Sequence, residues 1–263
     1  MLNVPNDLSQ QLEALVPIAR SIEGHLSPRE IRVLGLLAAC PTATGEVLEI
    51  GSYRGRSTVV LAKAMAAGTV HAVDPLTAPA ITDQYKSENQ TIAQDFYGNI
   101  EKHGVKARVA FHQMYSHELS PSWTLPLRLL WIDADHSYPG TKQDFDLFSR
   151  HLVDRGMIAF HDVLHPYDGP VRVFMEDVLA SDRFGACGVV GSIGWAQRVY
   201  DPAIAATHRL QKIALHKKLS RLVPYALNDR DTKGLKKLAY KFWRSRVPHA
   251  EVQPSAWAKQ LVA

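Results

Sequence analysis

The segment Ile132-Asp133-Ala134-Asp135-His136-Ser137-Tyr138 sets two carboxylates and an imidazole almost side by side, and Phe160-His161-Asp162-Val163 supplies a further imidazole and carboxylate. Crowding acids and imidazoles is unfavourable unless a cation or a proton-transfer role compensates. Oxygen ligands with room for water and substrate suit Mg²⁺ or Mn²⁺, and imidazole tilts the choice toward Mn²⁺ or another transition metal. His136, with an unperturbed pKa of about 6.5, suits a general base. The plainer alternative is that Asp133 and Asp162 accept hydrogen bonds from strand-end amides or orient His136, while His161 packs.

A second group precedes these. Glu49-Ile50-Gly51-Ser52-Tyr53-Arg54-Gly55-Arg56-Ser57 joins an apolar run to a helical pattern, and Asp74 closes the next apolar run. Gly51 and Gly55 allow a tight turn and close approach of a ligand, with a helix opening at Ser57. An acid at the position of Asp74 can accept hydrogen bonds from ribose hydroxyls. The spacing is not that of the dinucleotide fingerprint. Glu49 would repel a pyrophosphate but tolerate a sulfonium or an ammonium.

These residues need a scaffold that brings them to one edge. Five short apolar runs, 47–50, 69–73, 107–111, 129–132 and 157–160, alternate with helical stretches, and 187–190 and 193–198 read as a closing pair around Gly191-Ser192. This predicts an α/β fold, doubly wound, with a mostly parallel seven-stranded sheet and one antiparallel strand. Ligands in such sheets lie beyond the carboxyl ends of the strands, where the candidate residues stand. Neighbouring strands about 4.8 Å apart let Asp133, Asp135, His136, His161 and Asp162 converge. Residues 1–45 read as helices packing on the core, residues 46–200 as the catalytic domain and 201–263 as a helical extension. Pro17 is expected to kink or end the first helix, and Ser27-Pro28-Arg29-Glu30 opens the second with a capping box.

On the residues Glu-Ile-Gly-x-x-x-Gly-x-Ser at 49–57 and Asp-x-Asp-His-x-Tyr at 133–138, the chain resembles the class I S-adenosylmethionine-dependent methyltransferases over roughly residues 27–198. The match is closest to the metal-dependent O-methyltransferase branch acting on sugars and small molecules. The resemblance implies S-adenosylmethionine as cofactor, held by Glu49, Gly51, Ser52, Gly55, Ser57, Asp74, Ser116 and Asp133. Gly51 and its neighbours would line the methionine part, Asp74 the ribose, and Ser116 the adenine. It also implies a divalent metal on Asp133, His161 and Asp162, although His161 stands where the family usually has a carboxylate. In related sugar enzymes the second Asp of the motif is the base, so Asp135 competes with His136. A hydroxyl acceptor of a sugar, glycan or small natural product is too weakly acidic to ionise unaided, so a base, a metal or both must serve it. Tyr53, Tyr138, Tyr167 and Trp195 could line the acceptor pocket.

Composition fits this reading. Of 263 residues, 46% are apolar and 21% charged, an ordinary globular balance. With two cysteines, no spanning apolar run and no signal-like start, a cytoplasmic location is expected. The net charge of +4 divides unevenly: residues 201–263 carry +9 and the remainder −5. An acidic body argues against nucleic acid as the substrate; nucleic-acid methylation through the basic tail and a non-catalytic cofactor-fold module are the competing functions. Leu235, Leu238, Ala239 and Phe242 form one face of a basic tail helix. That face is expected to pack on its own domain or on a second subunit, with peripheral contact to the inner membrane face as the alternative.

Overall fold

The computed structural model describes residues 4–77, 89–226 and 233–261. Strands β1 (Glu46–Ile50), β2 (Val70–Val73), β3 (Val109–His112), β4 (Leu127–Ile132), β5 (Leu152–Phe160), β6 (Phe184–Val190) and β7 (Ile193–Arg198) form one sheet in the order β3-β2-β1-β4-β5-β7-β6. Only β7 runs against its neighbours. The helices are α1 (Leu8–Arg20), α2 (Pro28–Ala39), α3 (Arg56–Ala64), α4 (Asn89–Lys102), α5 (Ser116–Leu119), α6 (Tyr138–Phe148), α7 (Asp168–Val173), α8 (Pro202–Thr207), α9 (Arg209–Leu219), α10 (Gly234–Arg246) and α11 (Pro254–Ala258).

Both faces of the sheet are covered, which is why β4 reads as an unbroken apolar run with every residue buried. On one face α1, α2 and α3 pack against Val47, Trp131 and Trp195, and Trp257 of α11 joins them. On the other, Phe145, Phe148 and Phe174 meet Leu48, Ile132 and Phe160, joined by Leu219 and Tyr240 of the tail. The chain between α10 and α11 closes over the β6–β7 hairpin: Gly191 N donates to His249 O at 3.0 Å, and Glu251 accepts from Arg32 of α2 at 2.8 Å.

Strand register delivers the candidate residues to one level. Ile50 pairs with both Val73 and Ile132, and Ile132 pairs with Phe160. The ladder continues one step further, with Gly51 N bonded to Val73 O, Asp133 N to Ile50 O and His161 N to Ile132 O at 2.8–3.0 Å. Gly51, Asp74, Asp133 and His161 therefore leave the sheet together, astride the switch in strand order between β1 and β4.

The structure revises several local expectations. Pro17 lies inside α1, which runs on to Arg20, where Ser21 N caps the Pro17 carbonyl. The capping box at Ser27 is present, but Glu30 is shared with a distant partner. Strand β5 begins at Leu152, and the helical run after it passes from α7 into a π-helical turn over Phe174–Leu179. Helix α10 turns Tyr240 into the core and leaves Leu235, Leu238 and Phe242 exposed. The expected packing of that face does not occur within the described chain, because the larger aromatic side chain takes the buried place. The stretch Asn228-Asp229-Arg230-Asp231, read from the sequence as a polar separator between two basic tail helices, lies outside the described residues.

Candidate active site

A cavity of about 640 Å³ opens at the carboxyl ends of β1, β2, β4 and β5. One wall is the turn after β1. Asp74, buried at the end of β2, accepts the amides of Ser52 and Tyr53 on one oxygen and that of Leu76 on the other, each at 2.8 Å. Burial still pushes its pKa up, against these three donors. Gly51 (φ 89°) needs its glycine: a Cβ there would lie 2.2 Å from the Asp133 carbonyl. Of the residues expected to hold the cofactor, Gly51, Ser52, Ser57, Asp74, Ser116 and Asp133 line the cavity.

Glu49 and Gly55 are not on this wall. Glu49 is fully buried beneath the turn, accepting from Thr58 Oγ1 at 2.5 Å and Ser52 Oγ at 3.3 Å. Burial, opposed by these hydroxyls, raises its pKa to about 7. Gly55 is left-handed (φ 85°) and shapes the turn, and a Cβ there would meet Phe96 of α4 at 3.2 Å. The structure thus sets these two expected cofactor positions behind the cavity lining.

The other wall is crowded with charge. His136 Nε2 lies 3.3 Å from Asp162 Oδ2 and 3.7 Å from Asp133 Oδ1, and its ring stacks on Tyr167 at 4.5 Å. His161 Nδ1 sits between Asp133 Oδ1 at 3.1 Å and Asp162 Oδ1 at 3.2 Å. His165 Nδ1 reaches Asp162 Oδ1 at 3.0 Å. Burial opposes the imidazolium of His161, but Asp133 and Asp162 outweigh it and hold its pKa well above the ordinary histidine value. In return, burial of Asp162 and Asp133 is outweighed by His161 and its neighbouring histidines, and both carboxyls fall below the usual range. Asp162 adopts φ 59°, a left-handed conformation that Asp tolerates better than most side chains. Asp135 faces the cavity with both oxygens engaged by Ser137, from N and Oγ, at 2.9 Å.

Asp133, His136 and Asp162 each offer one ligand atom, all within 4.8 Å of one another. This candidate metal set differs from the expected one in its histidine. His161 is only 2% exposed, wedged toward Trp131, and serves as a hydrogen-bonded counter-charge to the two carboxylates.

Two participants were not singled out from the sequence. Glu30 of α2 accepts Ser192 N and Oγ at 2.6 and 2.7 Å and stands 4.0 Å from His161 Nε2. Its capping role accounts fully for its sequence signature, so only the fold reveals the second contact. Asp144 of α6 accepts Ser116 Oγ at 2.5 Å on the cavity wall, and burial raises its pKa to about 7. An acid on the inward face of a helix was the available signal. Among the aromatic candidates, Tyr53 and Tyr167 line the cavity. Tyr138 instead bonds Glu176 under Arg172, and Trp195 packs in the core beside Trp257.

A family profile described as a methyltransferase domain matches residues 48–163, spanning both walls from β1 to the loop that carries Asp162. This stretch of the chain is thus similar to a methyltransferase domain. About three quarters of the chain superposes on solved structures of the same fold. The O-methyltransferase TomG from Streptomyces achromogenes, involved in tomaymycin synthesis and solved with SAM, is 19% identical over 76% of this chain and 92% of its own, with a TM-score of 0.52. The O-methyltransferase from Bacillus cereus solved with SAH is 21% identical over 75% and 93%, also at 0.52. The O-methyltransferase NovP is 12% identical over 73% and 98%, at 0.56. The seven-stranded Rossmann-like methyltransferase fold is common to all of them. The matched stretch stops before β6 and β7, so Ser192, which ties Glu30 to the site, lies outside it.

Proposed function

We propose that this protein transfers the methyl group of S-adenosylmethionine to a hydroxyl oxygen of a small molecule, a sugar, a glycan end or a small natural product. The observation that carries the reading is one cavity with two unlike walls, Ser52 and Asp74 on one and Asp133, Asp135, His136 and Asp162 on the other. The first suits the cofactor. Asp74 Oδ1 holds a single backbone donor and keeps acceptor capacity for a ribose hydroxyl. Glu49 Oε1, buried under the turn without a partner among the described residues, favours a cationic methionine end above it. SAM and SAH bound to the similar folds of TomG and the Bacillus cereus enzyme support the same cofactor here.

Methyl transfer from a sulfonium is an in-line displacement: the oxygen–carbon bond forms as the carbon–sulfur bond breaks, and the charge on sulfur disappears. The acceptor hydroxyl must give up its proton to the protein. His136 can take it at the cavity wall, and Asp162 at 3.3 Å then pairs the imidazolium that results. Two carboxylate oxygens and an imidazole nitrogen also make Asp133, His136 and Asp162 a fitting donor set for a divalent cation. When bound, such an ion would supply a lowered pKa to a hydroxyl beside it. The Nε2 of His136 cannot be ligand and base together. With that nitrogen committed, Asp135 is the carboxylate left to accept the proton.

The test is transfer of labelled methyl from S-adenosylmethionine to a panel of hydroxylated acceptors, with and without excess chelator, beside calorimetric titration with S-adenosylhomocysteine. Binding of S-adenosylhomocysteine and chelator-sensitive turnover are the expected results. Absence of that binding overturns the reading. Full activity in chelator removes the metal and leaves His136 as the base.

A further inference from the structure

Helix α10 is held to the body by Tyr240, 5% exposed, whose hydroxyl donates to the Leu164 carbonyl. Three and four residues apart along another side of the helix, Leu235, Leu238 and Phe242 are 83%, 63% and 49% exposed. Lys236, Lys237 and Lys241 are exposed on the other sides of the helix, Lys241 nearest to the stripe, Arg246 lies over the Phe242 ring at 4.7 Å, and α10 contains no acid. Helix α9 repeats the pattern, with Leu210 and Ile213 exposed in another acid-free basic sequence.

Exposed large apolar side chains in a row call for a partner. Nucleic acid would use the lysines but has no need of two leucines and a phenylalanine. A second copy docked face to face across a two-fold axis would set this basic helix against its twin. An anionic lipid surface takes both features at once: apolar side chains enter the boundary between headgroups and acyl chains while lysines meet lipid phosphates. We infer that α10 is a peripheral membrane-docking element that seats Leu235, Leu238 and Phe242 in an anionic bilayer surface. Membrane docking requires no particular chemistry in the cavity and stands apart from the proposed reaction.

Co-sedimentation of the full-length protein with phosphatidylglycerol–phosphatidylcholine vesicles, against phosphatidylcholine alone, tests this. The protein is expected to partition onto the anionic vesicles and to leave them at high salt. A Leu235→Ser, Leu238→Ser, Phe242→Ser variant and a Lys236→Glu, Lys237→Glu, Lys241→Glu variant should each bind about tenfold more weakly or worse at an unchanged melting temperature, as expected for exposed positions. Equal recovery on neutral vesicles, or wild-type binding by the serine variant, overturns the inference. So does self-association abolished by the serine changes, which would give the face to a second copy. RNA binding lost only in the glutamate variant, without vesicle binding, would give it to nucleic acid and overturn the inference equally.

Discussion

The two walls of the cavity are built by opposite means. At the ends of β1 and β2 one carboxylate, Asp74, is surrounded by backbone amides, and the turn owes its shape to Gly51 and Gly55. At the ends of β4 and β5 four ionisable side chains, Asp133, His136, His161 and Asp162, face one another within about hydrogen-bonding distance, and a fifth, Glu30, arrives from a remote helix. A wall made of amides is stable whether or not a ligand is present. A wall made of opposed charges holds its geometry only while every member keeps its ionisation, which suits a place where a proton must move.

The largest effect should follow from Asp162→Asn, which keeps the left-handed backbone but removes the charge behind His136. Turnover is expected to fall by about 10²–10⁴ while affinity for S-adenosylhomocysteine by calorimetry stays within about threefold. Equal losses in both would mean that the walls do not divide the labour. Glu30→Gln should lower stability by about 3 kcal/mol in chemical unfolding, because a buried imidazolium loses one of its counter-charges. A change under about 0.5 kcal/mol would show that Glu30 serves only Ser27 and Ser192. Asp74→Asn should weaken cofactor binding by about tenfold to a hundredfold, with little change in turnover at saturation.

The smallest effect is one of pH. Burial keeps Asp144 protonated up to about 7, whereas the unfolded chain releases that proton near 3.8. Its contribution to stability is thus fully present below the lower value and is lost as pH rises through the upper one. Stability should drop by on the order of 2 kcal/mol between pH 5 and 7 on this account, and Asp144→Asn should flatten that part of the melting profile. An unchanged slope in the variant would assign the dependence elsewhere, with Glu49 the next carboxyl to test.

The amide-built wall was nearly readable from sequence, since glycines at a strand-to-helix turn and an acid closing the next strand are local signals. Alternation of apolar runs with helical stretches likewise specified the sheet, because parallel strands buried on both faces leave that pattern. The charged wall was readable only as a list of members. Which histidine, 136 or 161, points where a cation could sit depends on side-chain packing against Trp131 and Tyr167, and neither contact is written in residue spacing. Glu30 and Ser192 meet across a separation that no local motif encodes. For α10 the periodicity correctly marked an apolar stripe, yet gave no sign that Tyr240 would outcompete it for the core.

The closing run of chain, where His249 bonds Gly191, Glu251 grips Arg32 and Trp257 fills the space beside Trp195, works like the clasp on a folded book. Cutting the polypeptide before α10 to shed its basic charge would also spring that clasp and slacken the helix from which Glu30 reaches inward. A truncated protein would then lose tail and scaffold together, and a fall in its activity would say little about either. Exchanging single exposed side chains leaves the binding shut, and is the cleaner way to ask what the tail contributes.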